Sequence, residues 1–265
     1  LRELGVKFKT GVEVGKDVSL DQLRAEGYKA FYLAIGAQKG RSIGVEGEDL
    51  EGVISGIEFL SRVNQDEKEA VAGNVVVIGG GNVAIDVARV AVRAGGKNVS
   101  IYCLENREQM PALDEEIELA ESEDIKINNS WGPKRIIGEN GKVTGIEMKR
   151  CISVFDENGR FAPKYDENDT IIVDADYVLL SVGQAIDWCG ILDGSKAVLN
   201  PNNTIKVNEI TYQTDQEDVF AGGDAVTGPK FAIDAIAAGK QAAISIHRFV
   251  QVGQDLFIGR SRRQY

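Results

Sequence analysis

The stretch Val75-Val76-Val77-Ile78-Gly79-Gly80-Gly81-Asn82-Val83-Ala84-Ile85-Asp86 decides the fold. Four apolar residues without a polar interruption suit a central parallel strand buried on both faces. Three glycines end that strand, and a helix is predicted over residues 82–94, with Val83, Val87, Val90 and Ala91 at helical spacing and Gly95-Gly96 closing it. A second strand over 99–104 completes a β-α-β unit, whose crossover is right-handed. Gly79, Gly81 and Ala84 fall on the pattern G-x-G-x-x-[GA], placed between strand and helix where its chemistry requires it. The first glycine permits the tight turn, the second lets a pyrophosphate approach the backbone, and the small third residue brings helix and strand together. The pyrophosphate would rest on the N–H groups at the helix start, at the positive end of the helix dipole.

Glu105 closes the second strand, 24 residues after Gly81, where an acid accepts hydrogen bonds from the adenosine ribose hydroxyls. A carboxylate there repels the extra phosphate of NADP, so the direct reading is NAD(H) over NADP(H). The other reading makes Glu105 a solvated strand-end charge and lets Arg107, two residues on, meet a 2′-phosphate.

Working outward, a strand is predicted over 6–9, a helix over 19–26 capped by Ser19, and an apolar strand over 30–35 ending at Gly36. A glycine-rich connection leads to a helix over 56–63 and a charged linker over 65–68, where a domain boundary is placed. Beyond the β-α-β unit, a helix over 113–121 precedes an antiparallel flap with strands over 134–137, 143–150 and 171–173, and then an apolar strand over 177–181. Near the end the pattern returns: Val219-Phe220-Ala221 as a strand, Gly222-Gly223-Asp224 as its turn, and a helix from Phe231 to about Val250. Two strand-glycine-helix turns point to two different nucleotides.

The chain of 265 residues carries 30 glycines against five prolines, fitting an α/β protein with many tight turns. Its net charge of -11 argues against nucleic acid or an anionic membrane as a partner. No apolar run approaches the roughly 20 residues of a bilayer span, and no signal pattern opens the chain, so a cytoplasmic setting is expected. Cys103, Cys151 and Cys189 form no C-x-x-C pair or ligand cluster and read as packing or surface residues. The single histidine, His247, falls on the last predicted helix and reads as a surface residue. Glu115-Glu116 and the acids at 121–124 read as a solvated helix face, and no role is assigned to the tail arginines Arg260, Arg262 and Arg263. The opening at Leu1, without an initiator Met, points to a processed or excised fragment.

Together, Ala34-Ile35-Gly36-Ala37, the run from Gly79 to Asp86, Met110-Pro111, Ser181-Val182-Gly183-Gln184 and Gly222-Gly223-Asp224 with Ala235-Ile236-Ala237-Ala238-Gly239 resemble the glutamate synthase small-subunit-like family of FAD-dependent NAD(P)H oxidoreductases. That family lies within the pyridine nucleotide-disulfide oxidoreductase superfamily. The resemblance implies an NAD-binding Rossmann-like domain, 58–183, inserted into a partial FAD-binding Rossmann-like domain, 1–57 and 184–265. It implies contacts to the nicotinamide dinucleotide from Gly79, Gly80, Gly81, Asn82, Val83, Ala84, Glu105 and Arg107, and cofactor contacts from Val182, Gly183 and Gln184. For the flavin it implies Ala34, Ile35, Gly36, Gly223 and Asp224, with the N–H groups near Phe231, Ala232 and Ile233 facing the flavin pyrimidine edge, although an aspartate in such a turn also serves as a turn cap.

Three departures matter. Many members carry paired arginines where this chain has Leu104-Glu105; members begin with an iron–sulfur segment and a first FAD-binding G-x-G-x-x-G, neither of which precedes Leu1; and the C-x-x-C of the disulfide reductases is absent. The resemblance therefore implies hydride transfer from a nicotinamide to flavin, and onward transfer to an iron–sulfur domain or an electron-accepting partner subunit. No catalytic acid, base or metal ligand is nominated. The alternative is a nucleotide-binding or docking module without turnover of its own, the FAD site being incomplete in this chain.

Overall fold

The strand at the centre of that reading, Gly73–Ile78, occupies the middle of a five-stranded, all-parallel sheet in the computed structural model, which describes residues 1–65, 70–251 and 253–260. Across the sheet the order is Val53–Ser55, Tyr177–Leu180, Gly73–Ile78, Gly96–Cys103 and Lys126–Asn129. Both faces are covered, which explains the unbroken apolar run. Val75, Val77, Ile101, Cys103 and Leu179 pack against helices Gly56–Asn64, Asn82–Arg93 and Asp114–Ser122. Their neighbours Val76, Ile78, Tyr102, Val178 and Leu180 turn to the opposite side and meet Ile136, Ile146 and Met148 of an antiparallel sheet. The layers are therefore helices, parallel sheet and antiparallel sheet. The chain leaves Gly73–Ile78 toward Gly96–Cys103 on one side, while Tyr177–Leu180 arrives later on the other, so the strand order reverses at the glycine turn. In open α/β sheets such a switch point, at the carboxyl ends of the strands, is where ligands bind.

All of this lies in one compact unit, Lys39–Gly183; Leu1–Gln38 and Gln184–Tyr265 form the other. The first junction thus falls at 38/39 rather than at 57/58. Val53–Ser55 pairs in parallel register with Tyr177–Leu180, and the next helix buries Phe59 completely in the same core, which binds residues 39–57 to the second unit. Of the linker expected at 65–68, Gln65 caps the helix before it, and residues 66–68 lie outside the described residues.

The first unit is built on a pair of parallel strands, Phe31–Leu33 and Val219–Ala221. One face of the pair packs with Leu20 and Ile205. Helix Leu20–Ala25 is started by a reciprocal capping box: Ser19 Oγ accepts the Gln22 N–H at 3.1 Å, and Gln22 Oε1 accepts the Ser19 N–H at 2.8 Å. Arg24 then forks onto Asp218, Nε to Oδ2 at 2.6 Å and Nη2 to Oδ1 at 3.0 Å, tying the helix to the start of the second strand. The long helix Ala232–Phe249 sets Phe249 edge-on against Phe220, with centroids 5.8 Å apart. The strand expected over 6–9 is not formed: among the described residues no strand pairs with it, and Val6 and Phe8 stay exposed.

Candidate functional site

The glycine turn is shaped by what surrounds it. Gly79 has φ +142°, and a Cβ there would collide with the Ser181 carbonyl oxygen of the neighbouring strand end. Only glycine serves at that position. At Gly80 a Cβ would stand 2.8 Å from Glu105 Oε2 and 3.1 Å from Cys103 Cβ, so the acid at the end of the second strand presses against the turn. Gly81 differs: its φ of -93° is ordinary, and a Cβ would meet nothing within 4 Å. Its glycine is thus required by nothing in the described fold and leaves the backbone open to whatever approaches. Ala84 is fully buried and lies where helix and turn meet.

Gly81 caps helix Asn82–Arg93 without a side-chain hydrogen bond. Among the described residues, the N–H groups of Gly81, Asn82 and Val83 have no hydrogen-bond partner, although all three residues reach the surface. Unpaired N–H groups at the start of a 12-residue helix, beside a glycine with open space over it, form a cradle for an anion.

Glu105 is fixed by its own backbone, whose carbonyl accepts from Ser130 N–H at 3.0 Å and from Asn129 Nδ2 at 3.2 Å. Burial, and after it the charge of Glu105, push the Cys103 thiol up to about 12, which keeps it protonated and unreactive at neutral pH. Arg107 opens the short turn Arg107–Gln109 and pairs through Nη1 with Asp114 Oδ1 at 3.0 Å. Val182 joins the core shared with the antiparallel sheet, and Gly183, at φ +111°, accepts the Arg41 N–H through its carbonyl. The structure therefore brings Gly79, Gly80, Gly81, Asn82, Val83, Ala84, Glu105, Val182 and Gly183 to the carboxyl edge of one sheet. Gln184 begins the second segment of the other unit.

One element of this edge leaves no periodic trace in the sequence. The loop after Arg107 folds back onto the glycine turn: Ala112 N–H donates to the Gly80 carbonyl at 3.1 Å, and Leu113 N–H donates to Asn82 Oδ1 at 2.8 Å. Asn82 thus spends its side-chain carbonyl on the loop, with its backbone N–H left open. Met110-Pro111 within this loop was the available signal, because a proline shortly after a strand end marks a defined turn.

In the first unit, Ala34 and Ile35 follow strand Phe31–Leu33 and line a cavity of about 450 Å³ with Val14, Leu20, Phe31 and Trp188. Gly36 follows at φ +69°. Gly223, at φ +66°, delivers Asp224 to the short helix Asp224–Thr227, where Oδ1 accepts the Lys230 N–H at 3.2 Å, the turn-capping role. Phe231 precedes helix Ala232–Phe249 without a side-chain cap, and Phe231, Ala232 and Ile233 are exposed. Of the acids at 115–124, Glu115, Glu118, Glu121 and Asp124 are exposed, as expected of a solvated face, while Glu116 and Glu123 receive Arg89 and Glu123 also receives Arg93.

The pyridine nucleotide-disulphide oxidoreductase family matches residues 2–239. The NADP(+)-dependent formate dehydrogenase subunit beta of Moorella thermoacetica is 35% identical over 257 residues, covering 96% of this chain and 36% of that protein. The glutamate synthase [NADPH] small chain of Escherichia coli is 31% identical over 269 residues, covering 94% of this chain and 56% of that one. The chain thus spans from about a third to just over half of these relatives' length. Among solved structures, Mycobacterium tuberculosis FprA in complex with NADPH aligns with a TM-score of 0.71 at 21% identity, over 89% of this chain and 67% of that one. The thioredoxin reductase of T. acidophilum aligns with a TM-score of 0.62 at 22% identity, over 83% and 65%. At those identities the likeness is one of fold.

Proposed function

Given that the chain belongs to the pyridine nucleotide-disulphide oxidoreductase family, we propose that it is the nicotinamide-binding part, and a portion of the flavin-binding part, of an FAD-dependent oxidoreductase of the glutamate synthase small-subunit type. The carrying observation is the anion cradle at Gly81, Asn82 and Val83, open to solvent at a topological switch point. The unit 39–183 then holds the dinucleotide and the other unit contributes to the flavin site. With both cofactors bound, the site would supply hydride chemistry from nicotinamide to flavin, with electrons passing on to an iron–sulfur centre or partner subunit. The chain's own task is placement. The open N–H groups take the pyrophosphate, Glu105 accepts from the ribose hydroxyls, and the residues at 182–183 border the nicotinamide half. Hydride transfer needs no protein acid or base, consistent with a site edge that presents amides and one carboxylate.

The cofactor we favour is NADH. The relatives above are named for NADP(+) and NADPH, but here a carboxylate, Glu105, stands beside the glycine turn at the end of the second strand, where an acid accepts from the adenosine ribose in such folds. For the flavin the fit is partial. Gly223, Asp224 and the uncapped helix start at Ala232 suit its ring end, while residues 79–84 are the one G-x-G-x-x-[GA] turn among the described residues.

The test is the visible spectrum of the chain after incubation with FAD and removal of the unbound cofactor, repeated anaerobically with NADH. A retained flavin band that bleaches on addition of NADH supports the oxidoreductase reading. A retained band that does not bleach, or no band at all, reduces the chain to a nucleotide-binding module.

A further inference from the structure

Between Glu105 and Asp114 the sequence holds a single basic residue, Arg107, and it sits two positions from the acid that borders the turn. A guanidinium so placed would be expected to attract a 2′-phosphate. The structure turns it elsewhere: Arg107 Nη1 lies 3.0 Å from Asp114 Oδ1. Asp114 is no loosely placed partner. It is the first residue of helix Asp114–Ser122, where a carboxylate is favoured by the helix dipole, and the residues just before it are bolted to the glycine turn. Ala112 N–H is held by the Gly80 carbonyl and Leu113 N–H by Asn82 Oδ1. The turn that would carry the pyrophosphate therefore also anchors the backbone from which Asp114 reaches Arg107.

We propose that Asp114 is a specificity-determining positioning residue: latched to the glycine turn through Asn82, it holds and neutralises Arg107, leaving the adenosine ribose to be read by Glu105 alone. This rests on the reading of the turn as a dinucleotide site. Asp114 touches no cofactor atom; it acts by withholding a cation. Both partners are largely exposed, so the effect is modest and sensitive to salt.

The probes are 5′-AMP and 2′,5′-ADP, which differ by the 2′-phosphate, titrated calorimetrically into the whole chain at low salt. The readout is the ratio of their affinities. For Asp114→Ala the ratio should shift toward 2′,5′-ADP by about two- to five-fold, the range expected for an exposed ion pair. Adding Arg107→Ala to the same chain should remove the shift, and raising the salt should shrink it. A merely structural role for Asp114 would weaken both ligands together and leave the ratio alone. Asp114→Asn, which keeps the shape and removes the charge, serves if the alanine variant does not fold, and should shift the ratio in the same direction. A ratio that stays constant, or a shift that survives loss of Arg107, overturns the proposal while 5′-AMP binding leaves the dinucleotide reading standing. If 5′-AMP fails to bind the unmodified chain, the reading of the turn fails and this inference falls with it.

Discussion

Replacing Gly81 by alanine separates binding from folding. The residue has φ -93° and ψ 174°, open to any L-amino acid, and a Cβ there meets nothing within 4 Å. The fold loses only the preference for glycine over alanine at a helix N-cap, about 0.5–1 kcal/mol. That lowers the melting temperature by about 2–4 °C per kcal/mol in a domain of this size. Binding is affected far more, because the new methyl occupies the space through which the pyrophosphate reaches the open N–H groups. Hydrogen bonds to a charged group contribute about 1.5–3 kcal/mol each. Displacing the phosphate from two of them, with partial readjustment, costs at least about 3 kcal/mol, or roughly 100-fold in affinity. Gly79→Ala is the contrasting variant. At φ +142° and against the Ser181 carbonyl it strains the backbone and damages the fold itself, by at least about 1–3 kcal/mol for the conformation alone. Calorimetric titration with ADP-ribose, beside thermal melts, reads both effects. A Gly81→Ala chain that melts normally and binds ADP-ribose as tightly as before would refute the placement of the pyrophosphate.

Other substitutions probe the cofactor choice, the core and the antiparallel sheet. Glu105→Lys should raise the affinity for NADPH relative to NADH by about ten-fold, the worth of one charge-assisted hydrogen bond; competition binding measures it, and an unchanged preference contradicts the role given to Glu105. Phe59→Ala, at a fully buried position in the helix-side core, should cost about 3–5 kcal/mol in denaturant unfolding, with loss of the second unit's cooperative transition. Glu147, nearly buried, receives Lys134 at 2.9 Å and Arg135 at 2.6 Å, and these partners hold its carboxyl below the usual range against the opposing effect of burial. Its stabilising contribution is therefore full above the unfolded-state value and is lost as pH falls through the folded-state value. Glu147→Gln should flatten the decline in melting temperature below about pH 4, and an unaltered acid limb would contradict this.

The parts of the fold that were legible share a physical cause. Val75 to Ile78 could be read because a strand covered on both faces must be apolar throughout, and the helix after it from the spacing of Val83, Val87, Val90 and Ala91, although the face it buries runs through Ala84, Ile85, Val87, Ala88 and Ala91 and leaves Val83 and Val90 half-buried. Lys126–Asn129, an edge strand with one apolar residue, carries no such signature. The antiparallel strands Lys142–Phe155 and Phe161–Asp174 extend well beyond the expected 143–150 and 171–173; their outer parts escape the sequence pattern because register shifts and solvent-facing apolar residues such as Ile152 break the alternation there. The first junction was misplaced because Val53–Ser55 joins the second unit's sheet with only three residues. At the candidate site, the glycines and Glu105 could be nominated from spacing alone. The latch could not: Asn82 and Leu113 stand 31 residues apart and meet through a side chain and an amide, a contact that leaves no periodic trace.

The most direct measurement of the central claim is amide hydrogen exchange on the chain with and without NADH. Slowed exchange at 80–85, where the open N–H groups would acquire the pyrophosphate, together with the loop at 105–113, and little change across 142–174, is the predicted result. NADH that binds while leaving the amides at 80–85 exchanging as before would contradict the placement of the dinucleotide on the glycine turn.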